Sequence, residues 1–151
     1  MFTWKHSETV EVQADASQIW AMWSAPETWP AWDVELEWVT LSGGFVEGAK
    51  GEMKPKKGPR ISFELIQVRP HESFMDRARL PLTTLDFGHF YTPARGPADS
   101  ARITHTVEFH GLLAPVFGFL IGRNIKQHLR PAMMELAARA RAVDRTKDPA
   151  A

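Results

Sequence analysis

The chain has no cysteine at all. That excludes disulfides, thiol nucleophiles and thiolate metal sites, and it fits a reducing compartment such as the cytoplasm. It has no charge excess either, with 18 basic and 18 acidic residues and a formal net charge of zero. A balanced chain has no general attraction for nucleic acid or for an acidic membrane. No long apolar run is present. The longest, residues 112–122, is about half of the ~20 residues that span a bilayer, so stable membrane insertion is not expected. The N-terminus, Met-Phe-Thr-Trp-Lys-His-Ser-Glu, carries no apolar signal core. Internal repeats and low-complexity segments are also missing. What remains is a chain of 151 residues, 44% hydrophobic, sufficient for one domain with a real core. That domain is expected over residues 1–143, with 144–151 as a polar, disordered tail.

Alternation of apolar and polar residues marks strands. Phe2, Trp4, His6, Glu8, Val10 and Val12 share one face of a first strand. Asp15 and Gln18 resemble a capping box opening a short helix that buries Ile19, Trp20, Met22 and Trp23. Pro26 and Pro30 break it, with a second short turn at Thr28 and Trp29. A second strand runs from Trp32 to Val39, and Gly43-Gly44 marks a turn. A third covers 45–54. A fourth starts at Ile61 and changes parity after Leu65, which predicts a bulge. A fifth covers 74–80, and 85–92 with 102–110 complete seven. Apolar spacings of three and four, from Val116 and Phe117 through Ile121, Ile125, Leu129 and Met133 to Ala140, predict a terminal helix over 114–143, kinked at Pro131. Strands joined by hairpins and then one long helix give an α+β layout.

This order resembles the START-like, pollen-allergen-like (SRPBCC) superfamily, and within it the polyketide cyclase/dehydrase branch. The resemblance rests on Ala14-Asp15-Ala16-Ser17-Gln18-Ile19-Trp20, Pro26-Glu27-Thr28-Trp29-Pro30-Ala31-Trp32-Asp33, Gly48-Ala49-Lys50-Gly51, Arg102-Ile103-Thr104-His105 and the long helix after Gly111. It implies a helix-grip fold, a curved seven-stranded sheet wrapped on the C-terminal helix around a deep hydrophobic cavity. Members include lipid carriers, hormone receptors, aromatic polyketide cyclases, ring-hydroxylase subunits and chaperone activators. No catalytic motif unites them, so no catalytic residue is carried over.

The residues themselves give candidates. If the last hairpin turns near Pro97, then Leu85, Phe87, His89 and Tyr91 oppose Phe109, Val107, His105 and Ile103 on one face. His89 and His105 would then lie together on the cavity side. They could work as acid and base, with Tyr91 as donor or orienter, or be core histidines bonded to each other, Tyr91 or water. The second alternative is favoured, because buried polar groups are usually simply paired. A ligand would meet Trp32, Phe63, Phe87, His89, Tyr91, His105, Val107, Phe117, Ile121 and Ile125. No third residue joins the histidines at ligating parity except a distant His128, so neither a metal nor a cofactor is expected. Arg77 and Arg79 share parity and are expected on the surface, with Asp76 near a strand end. Lys54, Lys56, Lys57 and Arg60 form a basic loop. Gly43-Gly44 and Gly48 to Gly51 lack the Lys-Ser/Thr of a phosphate loop. Gly118 and Gly122 would let a neighbour approach the helix closely.

The expected function is binding of a small hydrophobic, aromatic, acyl or lipid-like molecule by a monomer or homodimer. The alternatives are a cyclase/dehydratase using the pocket histidines, and a protein-binding adaptor.

Overall fold

The computed structural model describes residues 1–144; the remainder of the expected tail lies outside the described residues. One antiparallel sheet contains β1 (Phe2–Val12), β2 (Leu36–Leu41), β3 (Lys50–Pro55), β4 (Ile61–Arg69), β5 (Ser73–Leu80), β6 (Thr83–Thr92) and β7 (Ala101–Gly111). Their order is β1-β7-β6-β5-β4-β3-β2, so the helices between β1 and β2 carry the chain from one sheet edge to the other. These are α1 (Ala16–Trp23), a 3-10 turn (Pro26–Thr28) and α2 (Trp29–Trp32). After β7 come α3 (Ala114–Phe117), a π-helical turn (Gly118–Gly122) and α4 (Arg123–Ala140). This is the helix-grip architecture, with the core between the inner sheet face and the helices.

The capping box forms. The Asp15 carboxylate accepts the Gln18 N–H, and Gln18 Oε1 accepts the Asp15 N–H. Gln18 Nε2 also donates to the carbonyls of Arg141 and Val143, so one buried side chain joins the start of α1 to the end of α4. The bulge after Leu65 is present as a register shift between Leu65 and Gln67.

Three local expectations are corrected. The second strand begins at Leu36, not Trp32, because Trp32 closes α2 and Asp33 turns the chain by accepting the Glu35 N–H. A register shift between Leu36 and Trp38 then turns Val39 inward. The third strand begins at Lys50. The chain ahead of it bends through Gly43 and Gly48, both at positive φ, and inserts Phe45 edge-on against Trp20 and Phe74. The terminal helix is not one continuous α-helix: a π turn at Gly118–Gly122 separates α3 from α4, and Pro131 lies inside α4. Gly118 and Gly122 lie against Trp4 of β1: a Cβ at either would come within 2.6 or 2.7 Å of the indole. The close approach is therefore to the sheet.

Candidate functional site

The hairpin register is the one the alternation predicts: Leu85 opposes Phe109, Phe87 opposes Val107, His89 opposes His105 and Tyr91 opposes Ile103. Across the neighbouring strands the same face carries Asp76 beside Phe87, Phe74 beside His89, and Leu65 beside Asp76. At the β1 edge it carries His6 and Glu8, paired at 2.6 Å, with Arg130 of α4 3.7 Å from Glu8.

The two imidazoles are buried, 4.6 Å apart and edge-on. His89 lies parallel to Phe74 at 3.8 Å. Trp23 stands 5.9 Å from each histidine, and Trp32 stands 6.1 Å from His105. His89 Nδ1 lies 3.4 Å from the Phe74 carbonyl, so the proton of that long contact sits on Nδ1. His105 Nε2 and the indole N–H groups of Trp23 and Trp32 have no protein partner. Burial holds the His89 pKa well below its ordinary value, and the His105 neighbour lowers it further. Burial alone lowers His105 to about 3. Both rings are therefore neutral at pH 7.

Tyr91 is drawn the other way. Its hydroxyl lies 3.4 Å from the Ala14 carbonyl, and burial, with the charge of Asp15, raises its pKa. Trp32, Phe63 and Val107 are buried, while Phe87, Phe117 and Ile125 are half-buried. Ile121 is 37% exposed. The hydrophobic space is thus divided. Towards α1 and α2 it is filled by Trp20, Trp23, Trp29, Trp32, Phe45 and Phe74. On the inner face, Phe87 keeps some exposure although β6 has neighbouring strands on both sides.

Sequence reasoning missed the residue with the most unusual surroundings. Asp76 is 1% exposed, not near a strand end, and its Oδ1 has no partner. Burial raises its pKa well above the usual carboxylate range, and the charge of Asp86 adds to this. Its neighbours on the inner face are Leu65, Phe87, Phe74 and Ala78. A signal was available, since Asp76 shares parity with Phe74 and Ala78. Arg77, on the other face, grips Asp86 with two bonds of 2.7 Å, while Arg79 is exposed.

His128 contacts Glu35 at 3.3 Å, and Asn124 donates to the same carboxylate, so this pair ties α4 to the approach of β2. Among the described residues, no group of three or more His, Asp or Glu side chains is placed to hold a metal. The basic loop is partly neutralised by Lys54–Glu37 and Arg60–Glu52 pairs. Two open hollows, about 540 and 450 Å³, lie on the outer face of β3–β5 and beside the β2–β3 loop, not under α4.

Residues 3–141 match the family described as polyketide cyclase / dehydrase and lipid transport. The chain belongs to that family. No curated protein matches it by sequence. Among solved structures it is similar to norcoclaurine synthase from Thalictrum flavum, bound to dopamine and hydroxybenzaldehyde. The identity there is 20% and the TM-score 0.67, covering 91% of this chain and 86% of that one. It is similar to a START superfamily protein from Mycobacterium smegmatis at 18% identity and a TM-score of 0.68, covering 89% and 97%. The di-domain aromatase/cyclase StfQ of the steffimycin biosynthetic pathway aligns at 11% identity and a TM-score of 0.73, covering 92% of this chain and 51% of that one. At these identities the likeness is one of fold. The family's description names polyketide cyclases, dehydrases and lipid transport, and the StfQ neighbour is a cyclase-type protein. Among the described residues no helix is long and apolar enough to cross a membrane.

Proposed function

We propose that the protein binds a small hydrophobic molecule between the inner sheet face and α4, and that Asp76 donates a hydrogen bond to an oxygen of that ligand. The observation that carries this reading is the Asp76 carboxyl, buried among apolar neighbours with an unpartnered oxygen. Burial of a carboxyl without a partner is costly, and the raised pKa favours the neutral form, which can donate. The half-buried Phe87 beside it supports an entrance under α4. Phe117 and Ile125 are the apolar helix residues assigned to the walls. Each buried methylene contributes ~0.8 kcal/mol, so an acyl or aromatic ligand reaches micromolar affinity with one or two polar contacts. Asp76→Leu should weaken a carbonyl-bearing ligand about tenfold, while Asp76→Asn, which keeps a donor, should retain most affinity. Native mass spectrometry of the purified protein identifies the ligand class. Equal affinity in all three proteins would remove Asp76 from the site.

A second reading, a cyclase or dehydratase, is favoured by the same carboxyl. A neutral acid facing a ketone can protonate or hydrogen-bond a developing enolate. In this reading Asp76 takes the role first given to His89, His105 and Tyr91. The imidazoles, held between Phe74, Trp23 and Trp32, are then core residues. Asp76→Asn should lower turnover of an enolisable substrate ~10²–10⁴-fold with binding retained.

A further inference from the structure

We infer that one end of the molecule is a docking surface for an anionic lipid membrane. Three chain segments meet there. Phe2 of β1 pairs with Gly111, and the Leu112 N–H donates to the Leu82 carbonyl at 2.9 Å. Leu112 and Val116 lead into the π turn that presents Phe119 and Leu120. These side chains are half to two-thirds exposed, up to 67% at Leu82. Leu82 also occupies a φ of +53°, where a bulky residue is an outlier and Gly or Asn would fit without strain. The strained turn tip thus holds a bulky apolar side chain out to solvent.

The charges select the partner. Residues 109–134 contain no Asp or Glu, although the whole chain is balanced. Arg123 stands 5.3 Å over the Phe119 ring, and Arg123 and Lys126 are exposed on the next turns with no ion pair among the described residues. Glu35 is held by Asn124 and His128, and Arg130 faces Glu8. A second copy related by twofold symmetry would place these cations against themselves, because the patch is self-facing in such a dimer. Apolar tips from separate segments behind a cationic collar match shallow insertion into an anionic headgroup layer. The surface lies outside the ligand groove, so the inference stands apart from the ligand reading.

The test is co-sedimentation of the full chain with vesicles of phosphatidylcholine alone or with one-quarter phosphatidylglycerol, at low and high salt. Binding to the anionic vesicles only, weakened by salt, is expected. Phe119→Ser with Leu120→Ser, and separately Arg123→Gln with Lys126→Gln, should each lower the bound partition coefficient ~10-fold or more, at ~1 kcal/mol per basic residue near the surface. Lys57→Gln, far along the chain on another loop, should leave it unchanged. Unaltered thermal midpoints check that the variants fold, since all the altered side chains are exposed. The inference is overturned if the parent ignores anionic vesicles, which would leave the patch to a protein partner. It is overturned equally if either double variant binds like the parent. A dimer in sedimentation velocity that dissociates on Leu120→Ser, without vesicle binding, would assign the surface to a second copy.

Discussion

His105→Gln should make the protein less sensitive to acid. In the folded state burial holds the His105 pKa at about 3, whereas the exposed, unfolded value is 6.5. A folded pKa lowered in this way makes the unfolded chain bind the extra proton first. Stability is therefore fully present above the unfolded value and is lost as pH falls from 6.5 towards 3. Between pH 7 and pH 5 the loss is about 2 kcal/mol, at 1.36 kcal/mol per unit over roughly 1.5 units. His89 acts in the same direction. Asp76 acts in the opposite one: its raised pKa favours the folded state as pH falls towards 4, so the parent shows only a net effect. The difference between parent and His105→Gln reports His105 together with the part of the His89 shift that His105 causes. Urea unfolding at pH 7 and pH 5 should show the parent losing about 2 kcal/mol more than the variant over that interval. The same difference at both pH values would mean that His105 is solvated and protonates freely in the folded protein, which would refute the packing described for the two rings.

Other outcomes follow from the same structure. Asp76→Asn should stabilise the protein more at neutral than at acid pH, because a carboxyl whose pKa is raised by burial costs stability above its unfolded value, and the gain should shrink as pH falls towards 4; thermal midpoints across that range measure it. Gly118→Ala drives a methyl into the Trp4 indole and should cost about 1–3 kcal/mol, beyond the ~1 kcal/mol that alanine gains over glycine in a helix, read by denaturant titration. Asp15→Ala removes the cap of α1 and should cost about 1 kcal/mol in the same assay.

Much of the fold is legible because period-two alternation is strict where a strand is covered on one face only. The β6–β7 register followed from that alternation, since a one-residue slip would have sent Phe87, His89, Val107 and His105 to the outer face. The capping box at Asp15 and the bulge after Leu65 were likewise local signals. The stretch from Trp32 to Lys50 was not readable in the same way. Trp32 and Leu36 keep strand parity by coincidence, while an Asp33 turn and a register shift decide where β2 faces. Asp76 was hidden by its neighbours: Arg77 and Arg79 make the strand look solvated, and only parity with Phe74 and Ala78 shows that the carboxyl points inward. The filling of half the interior by tryptophan rings depends on how α1, α2 and the Phe45 loop pack together, which no local pattern encodes.

The central claim is that an apolar ligand enters between α4 and the inner face at Phe87. Titration of an apolar fluorescent probe into the parent and into Phe87→Trp tests it most directly. Overpacking a tight core usually costs ~1–3 kcal/mol, whereas a groove accepts added bulk at little cost. The expected result is at least tenfold weaker probe binding by the variant with an unfolding midpoint close to the parent's. Unchanged probe affinity together with severe destabilisation would show that Phe87 sits in closed core and that no ligand passes there.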